Sequence, residues 1–398
     1  MFRRPWLVAL TTLTLVAVAS PAVAGTPLAV GGAAPAVAGT PSAVAGAAPA
    51  AVGAPAAVAG LGSAVVSRAA GLQRDLDAVV AGGPTSALLE LRVGDRVVRL
   101  TSGAARHGTN QPVDPRGRFR AGSVTKMLIA TVVLQLVAER RIGLDDRLDR
   151  WLPGVLPPGN GVTVRQVLNH TSGLYDVTRT LPLDPPTAFL PLRWTTWTPR
   201  QLIDRATAHD PTFAPGAGYA YSSTGYLALG LLIERITGHP YAVEVARRLP
   251  LRETTFPGTD PRIPGPHAHA YLPDGSGGVI DITAMNPSVM GAAGEAVTTA
   301  ADLNRFVTAL LAGRVLPART LALMRTVQEP SQRGLGLEVV PLPCGTAYGH
   351  RGDALGASAW TFATGPRRAV TLSVAWGTGR PDRDAVQNLL EDALCGTA

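Results

Sequence analysis

Ser123 and Lys126 lie three residues apart, at the start of the apolar segment 124–137. Residues three apart share one face of a helix, so a helix here brings the hydroxyl and the amine within hydrogen-bond reach. A serine hydroxyl is a weak nucleophile until a neighbouring base takes its proton, and a lysine amine can be that base when burial lowers its pKa. The spacing therefore predicts Ser123 as a nucleophile and Lys126 as its proton acceptor.

Lys126 is the sole lysine among the 36 lysine and arginine residues of the chain. An arginine guanidinium stays protonated and cannot act as a base, whereas a lysine amine can lose its proton. Chance retention of a surface lysine is the alternative interpretation. The composition favours a chemical role.

Segment 124–137 is apolar almost all round, which predicts a buried helix. Ser123 then lies in the first turn, directly after Gly122. A helix N-terminus offers backbone N–H groups to a negatively charged oxygen, as the intermediate of acyl transfer requires.

Two hairpins are predicted near the ends of the chain, one from segments 88–93 and 96–101 and one from 354–363 and 369–376. Each pair is rich in β-forming residues and is joined by a short turn that contains glycine. An antiparallel sheet follows from this pattern.

Helical periodicity predicts a last helix over 382–394, and the region from about 130 to 270 reads as helices and long loops. Strands at both ends with helices between indicate an α+β fold. We expect an antiparallel sheet flanked by helices, with an inserted, mainly helical lobe and a site in the cleft between them.

The N-terminus has the pattern of a secretory signal, with Arg3-Arg4, an apolar run and Ala22-Val23-Ala24, so residues 1–24 are predicted to be removed. Residues 25–65 are an Ala-, Gly- and Pro-rich stretch, predicted to be a disordered linker. The folded domain is predicted over 66–398. These features predict a secreted, monomeric protein without a transmembrane segment after cleavage.

Cys344 and Cys395 are the two cysteines of the chain. In a cytosolic protein they would be expected to stay thiols. In an exported protein the pair predicts a single disulfide.

Several classes of function are disfavoured by the sequence. The net charge of +8 comes from scattered basic residues, whereas nucleic-acid binders concentrate them. His267 and His269 have a spacing that a metal could use, but no third ligand is evident, so neither a metal nor a cofactor is predicted. The glycine patterns of α/β-hydrolases and nucleotide-binding proteins are missing from the sequence.

Two further motifs follow in chain order, Tyr221-Ser222-Ser223 and His350-Arg351-Gly352. With the Ser-x-x-Lys pair, this order resembles the serine penicillin-recognising enzymes, which are related to the β-lactamases and include D-alanyl-D-alanine carboxypeptidases and esterases. Within this family, a cysteine shortly before His350 paired with one near the C-terminus most resembles the arrangement in the secreted carboxypeptidases. The resemblance extends over about 70–395, and its longest blocks are 119–126, 164–175, 230–238 and 291–294.

The resemblance implies a role for each catalytic position. Ser123 would be acylated, Lys126 would accept its proton, and Tyr221 would transfer a proton to the leaving amine and activate water for deacylation.

The same resemblance implies the substrate-binding positions. His350 takes the place of a lysine found in other members, and Gly352 lets the substrate lie against its strand without a side chain in the way. The backbone N–H groups of Ser123 and Asp353 would form the oxyanion hole.

Three positions depart from the carboxypeptidase pattern. Ser223 replaces an asparagine whose amide contacts substrate and lysine, and Arg351 replaces a small hydroxyl residue. Glu338 falls where an arginine for the substrate's terminal carboxylate is expected, and it would repel that carboxylate unless Arg351 supplies the charge.

These observations predict a D-alanyl-D-alanine carboxypeptidase-like serine hydrolase that forms an acyl-enzyme with peptidoglycan stem peptides or β-lactams. An esterase, a class C-like β-lactamase and a D-amino-acid amidase are alternatives within the family. A protein that binds penicillin or cell-wall peptide without turnover is an alternative of another class, which retention of Lys126 disfavours.

Overall fold

The computed structural model describes residues 63–396 apart from 158 and 160, with side chains from residue 68 onward. The predicted leader and nearly all of the predicted linker lie outside the described residues. In chain order the helices and strands are α1 (Ser63–Ala81), β1 (Ser86–Val93), β2 (Arg96–Gly103), β3 (Phe119–Arg120), α2 (Val124–Ala138), α3 (Leu148–Trp151), α4 (Val164–Leu168), α5 (Pro199–Thr207), α6 (Ser223–Thr237), α7 (Tyr241–Arg248), β4 (Tyr271–Pro273), β5 (Val279–Asp281), β6 (Val297–Thr298), α8 (Ala300–Leu311), α9 (Ala318–Arg325), β7 (Glu338–Leu342), β8 (Gly345–Ala354), β9 (Ala357–Gly365), β10 (Arg368–Ala375) and α10 (Arg383–Cys395).

A six-stranded antiparallel sheet has the order β2-β1-β10-β9-β8-β7 and so joins both ends of the folded region. Both predicted hairpins are present, β1 with β2 and β9 with β10. The second hairpin begins later than predicted, because Ala354 ends β8 and Gly356 makes the turn to β9 with a φ of 79°. Glycine adopts this left-handed conformation without a Cβ clash. The predicted α+β class is confirmed.

Helices α1 and α10 cover one face of the sheet. Leu89 and Leu91 of β1 join Leu72 and Leu76 of α1 and Leu389 of α10 in one buried cluster. Cys344, in the turn between β7 and β8, forms a disulfide with Cys395 at the end of α10, with 5.3 Å between their Cα atoms. The disulfide therefore links the sheet edge nearest the third motif to the C-terminal helix.

Helix α8 lies against the opposite face of the sheet. Successive strand residues point to opposite faces, so Leu88 and Glu90 of β1 face α8 rather than α1. The Asn304 side chain of α8 donates to the backbone carbonyl of Glu90 at 2.9 Å and accepts from the Thr371 hydroxyl at 2.9 Å. These bonds fix α8 on the sheet.

Helix α2 is the centre of the main core. All its residues from Val124 to Leu134 are buried, as its uniform apolar composition predicts. It contacts α6, α7 and β8, so the sheet and the helical lobe both pack on it. Its first turn is therefore held from several sides.

The region 130–270 contains most of α2 and all of α3 to α7, in agreement with the predicted helical lobe. Several of these helices have clear start signals. Thr198 and Gln201 form a capping box at α5, with Pro199 in the first turn. Within 63–396, no helix has both the length and the apolarity needed to cross a membrane.

Candidate active site

Ser123 immediately precedes α2 and Lys126 lies in its first turn. The Lys126 Nζ donates to the Ser123 Oγ at 3.1 Å and to the carbonyl oxygen of Ala293 at 2.7 Å. Ser123 is the N-cap residue of α2, but its side chain makes no capping hydrogen bond, so its hydroxyl is left for chemistry. The predicted pair is thus brought together, with the amine held by a second, fixed acceptor.

Lys126 is completely buried, with an exposed fraction of 0%. Burial lowers its pKa to about 7, with Arg333 adding to the effect and Asp176 opposing it. A substantial fraction of the amine is therefore neutral near pH 7 and can accept a proton from Ser123.

Tyr221 lies just before α6, and its ring lies close to the Lys126 amine and the Arg333 guanidinium. The Lys126 Nζ is 5.0 Å from the ring centroid and the Arg333 Cζ is 5.1 Å from it. Burial raises the pKa of the Tyr221 phenol well above its ordinary value, although a side-chain hydrogen bond with Ser123 opposes the shift. The phenol therefore stays protonated near neutral pH and is able to donate a proton.

His170 packs against the Tyr221-Ser222-Ser223 motif. Its ring stacks on that of Tyr221 with 4.3 Å between centroids, and its Nδ1 accepts from the Ser222 backbone N–H at 3.2 Å. Burial and the nearby cations hold the pKa of His170 well below its ordinary value, so the ring is a neutral acceptor. His170 belongs to block 164–175, and its contacts show that this segment positions Tyr221.

Ser223 is buried at the start of α6, where its backbone N–H donates to the Asp176 carboxylate at 3.0 Å. Ser223 stands where the family pattern has asparagine. Its short side chain lies next to the Asp176 carboxylate, which comes from another segment. Sequence reasoning missed Asp176, which follows a motif block directly and carried no distinguishing spacing.

The third motif lies on β8 and touches the start of α2. A Cβ on Gly352 would lie 2.1 Å from the Ala121 carbonyl oxygen and 2.6 Å from the Ser123 nitrogen. Gly122 has a φ of 52°, and a Cβ there would lie 2.6 Å from the carbonyl oxygen of Asp353. Two glycines thus let the strand and helix backbones meet, which places Asp353 beside the nucleophile.

His350 is buried on β8 and is neutral. Its Nδ1 bonds to the carbonyl of Arg351, so that nitrogen carries the proton and Nε2 accepts from Arg333, 3.3 Å away. Burial lowers the pKa of His350 to about 3, against the opposing effect of Glu338. His350 is thus a hydrogen-bonding group of the site and not a cation.

A polar pocket of about 500 Å³ opens on one side of Ser123. Glu338 lines it and accepts from Arg333 at 2.8 Å and from the Arg351 backbone N–H at 3.3 Å. Burial disfavours the ionised form of Glu338 and by itself would raise its pKa. The adjacent cationic groups have a larger effect in the opposite direction, so the pKa of Glu338 lies below its ordinary value. The polar pocket therefore contains an ionised carboxylate that belongs to the protein.

Arg333 is the ion-pair partner nearest to Glu338, whereas Arg351 was predicted to supply the charge for the substrate's terminal carboxylate. Arg333 also donates to the Tyr219 hydroxyl at 2.9 Å, so its guanidinium is fixed. The Arg351 side chain is 62% exposed and its Nε lies 3.7 Å from the Glu338 carboxylate. Arg333 was missed because it lies in a loop outside all the motifs.

An apolar pocket of about 330 Å³ opens on another side of Ser123. Its apolar lining comes mainly from two 3₁₀ helices, Pro186–Leu192 and Pro287–Val289, and the loops around them, with Leu355 from the β8–β9 turn and Trp376 directly after β10. The large apolar residues of the lining are Leu181, Leu183, Phe189, Met285, Pro287, Val289, Met290, Leu355 and Trp376.

His267 and His269 lie away from this site. The His269 Nδ1 is 2.7 Å from the Asp281 carboxylate and its Nε2 is 3.0 Å from Arg106, so both ring nitrogens have protein partners. These residues have no part in the chemistry at Ser123.

A buried Ser-Lys pair at the first turn of a helix, between an antiparallel sheet and a helical lobe, defines the class of serine penicillin-recognising proteins. The sequence matches the model of the β-lactamase family over residues 37–394. The chain belongs to the β-lactamase family.

Two solved structures extend the comparison to nearly whole folds. The D-stereospecific amidohydrolase from Streptomyces sp. is 38% identical, with a TM-score of 0.74 over 83% of this chain and 99% of that chain. The D-amino acid amidase from Ochrobactrum anthropi SV3 is 27% identical, with a TM-score of 0.72 over 82% and 97% of the two chains.

Among curated relatives, penicillin-binding protein 4 of Amycolatopsis lactamdurans is 30% identical over 259 residues, which is 61% of this chain and 65% of the relative. The chain spans less than two thirds of the length of the first curated relatives that it matches. The family includes hydrolases and penicillin-binding proteins, and its fold is shared by this chain.

Proposed function

We propose that the protein is an exported serine hydrolase that cleaves amides and esters of D-amino acids, including peptides with an amidated C-terminus, through an acyl-enzyme. The observation that carries the choice of substrate is the Glu338–Arg333 ion pair in the polar pocket. It indicates a leaving group without a free carboxylate.

The first chemical step rests on the Ser123–Lys126 pair. The neutral Lys126 amine takes the Ser123 proton as Oγ bonds to the substrate carbonyl carbon. The backbone N–H groups of Ser123 and Asp353 would stabilise the oxyanion, because the glycine contacts hold these two segments together.

The second step is expulsion of the leaving group. The protonated Tyr221 phenol gives its proton to the departing nitrogen or oxygen and recovers one from Lys126, which lies over its ring. Water then attacks the acyl-enzyme carbonyl with the same groups acting in reverse, and Ser123 is regenerated. His170 keeps the phenol in place throughout.

The apolar pocket supports an acyl group with a large apolar side chain. A volume of about 330 Å³ with a lining of leucine, methionine, valine and phenylalanine fits a side chain such as phenylalanine or leucine. The Streptomyces and Ochrobactrum structures, described as D-stereospecific amidohydrolase and D-amino acid amidase, support the D configuration.

The polar pocket supports a neutral leaving group. In this pocket the fixed guanidinium of Arg333 is already paired with Glu338, and His350 is uncharged. A substrate carboxylate entering this pocket would meet an ionised carboxylate whose fixed partner is already engaged. Like charges at close range disfavour binding, whereas a carboxamide or ester carries no such penalty.

Cleavage of peptidoglycan stem peptides by a D-alanyl-D-alanine carboxypeptidase is the second candidate. The Arg351 guanidinium favours it, because it is 62% exposed beside the polar pocket and could receive a terminal carboxylate. Arg351→Ala would then remove the preference for substrates with a free carboxylate.

The matched substrates D-Phe-D-Ala and D-Phe-D-Ala carboxamide, which differ in one charge, test the proposal. We expect a higher kcat/KM for the carboxamide, a smaller difference in Glu338→Gln, and no turnover of either by Ser123→Ala. A preference for the free carboxylate, lost in Arg351→Ala, would favour the carboxypeptidase instead. If neither these peptides, nor D-phenylalanine esters, nor labelled penicillin reacted with Ser123, the hydrolase proposal would be wrong.

A further inference from the structure

Asp176 is a half-buried carboxylate that lines the apolar pocket together with Ser123 and Tyr221. Its Oδ1 accepts from the backbone N–H groups of Ser223 at 3.0 Å and Thr178 at 3.2 Å, and its Oδ2 accepts from the Thr178 hydroxyl at 2.8 Å. These three bonds fix the carboxylate and leave it room for a further donor, since a carboxylate can accept about four.

Asp176 has no cationic partner at contact distance. Among the described residues, no arginine, lysine or histidine nitrogen lies within 4.0 Å of its oxygens, whereas Glu338 in the polar pocket is paired at 2.8 Å. The influence of Asp176 on the pKa of Lys126 is therefore exerted at longer range. A fixed carboxylate without a counter-ion beside a nucleophile is an unused binding group for a cation.

Glu295 and Asp353 are the other carboxylates that line the apolar pocket. Glu295 is 3% exposed and accepts from the Tyr241 hydroxyl and from the Gly258 N–H at 3.0 Å, and its burial raises its pKa. The Asp353 Oδ1 accepts from the Ser358 hydroxyl at 2.6 Å. Asp353 is exposed on β8, so Asp176 is the half-buried carboxylate of the pocket that a ligand can reach.

The arginines of the pocket are engaged as well. Arg120 donates from one nitrogen to the carbonyl oxygens of Pro261, Thr283 and Met285. The Arg380 guanidinium lies 4.4 Å from the ring centroid of Trp376. Neither arginine is paired with Asp176.

We propose that Asp176 binds the α-ammonium group of the substrate, so that the enzyme requires a free amino terminus on the residue that it transfers to Ser123. The inference rests on the proposed D-aminoacyl hydrolase function. In an aminoacyl substrate only the α-carbon separates the ammonium from the carbonyl under attack, so its partner must lie in the same pocket as Ser123. The apolar lining then receives the side chain of the same residue.

Two other roles for Asp176 predict different behaviour. As a cap it would stabilise the start of α6, and as a distant counter-ion it would tune Lys126. Either role affects all substrates by the same factor. Binding of the ammonium affects only substrates that carry one.

Asp176→Asn separates these roles because asparagine keeps an oxygen for the Ser223 and Thr178 N–H groups but loses the charge. The substrates are D-phenylalanine p-nitroanilide and its N-acetyl derivative, at pH 6.5, where an α-amino group is mostly protonated. In the wild type we expect the free amine to have the higher kcat/KM. In Asp176→Asn this advantage should fall by about 10- to 100-fold, the worth of a charge-assisted hydrogen bond.

Glu338→Gln is the matched control, because it removes a carboxylate from the other pocket. It should leave the ratio between free and acetylated substrate unchanged. An equal loss for both substrates in Asp176→Asn, or a wild type indifferent to acetylation, would overturn the inference and leave the proposed hydrolase intact. Failure of the wild type to hydrolyse either substrate would overturn the inference, and it would overturn the proposed hydrolase too if the peptides, esters and labelled penicillin also failed to react with Ser123.

Discussion

Replacement of Lys126 by methionine removes a buried amine from α2 and keeps an unbranched side chain. Burial lowers the pKa of Lys126 from 10.5 to about 7 in the native state. One pKa unit corresponds to about 1.4 kcal/mol, so protonated Lys126 destabilises the native state by about 5 kcal/mol. The methionine variant does not carry this cost.

The direction with pH follows from which state binds the proton. Between the native pKa and the unfolded one, the unfolded chain binds more protons at Lys126, so wild-type stability rises with pH. The cost is fully present below about pH 7 and vanishes toward pH 10.5. The stability advantage of Lys126→Met should therefore shrink by about 1.4 kcal/mol per pH unit above pH 7.

Urea unfolding of both proteins from about pH 6 to 9.5, with the disulfide intact, measures this difference. The lost bonds to Ser123 and Ala293 reduce the advantage by an amount that does not depend on pH, so the slope is the diagnostic quantity. Arg200→Met, which removes an exposed guanidinium, should show no slope. A difference between wild type and Lys126→Met that stays constant across this range would refute the reasoning about the buried amine.

Gly352→Ala should lower kcat/KM at least about 100-fold, because a Cβ there displaces the backbone beside the nucleophile. A folded variant with normal steady-state kinetics would contradict this. Replacement of Cys344 and Cys395 by serine should lower the free energy of unfolding by about 4 kcal/mol, since the 51-residue separation is then unconstrained in the unfolded chain. An unchanged urea midpoint would count against it. Arg333→Met should destabilise the protein by about 3 kcal/mol by leaving the mostly buried Glu338 carboxylate without its fixed ion-pair partner, and Glu338→Met in the same chain should recover most of the loss in thermal unfolding.

The sheet and α2 could be predicted from the sequence because their signals are local. The hairpins of β1 with β2 and of β9 with β10 combine β-forming runs with short turns, and α2 is continuously apolar. The start of β9 was placed too early because Ala354 and Leu355 continue the apolar pattern of the strand. Only the left-handed turn at Gly356 interrupts it.

The charges around the nucleophile could not be predicted in the same way. Arg333 and Asp176 come from loops remote in sequence from Ser123, and their roles depend on which side chains the fold places opposite them. The position of Glu338 is evident from the sequence, but its ion pair with Arg333 at 2.8 Å is not. The turn that carries His170 lies in block 164–175, but nothing in its composition or spacing indicates that the His170 ring stacks on Tyr221.

The single lysine also makes the chain an unusual substrate for a protease that cuts only after lysine. The one susceptible bond follows Lys126, whose side chain is 0% exposed in the first turn of α2. Cleavage therefore requires that helix to open, and each cut molecule yields the same two fragments. The rate of that single cut reports directly how often the active-site helix unfolds, without any label or added chromophore.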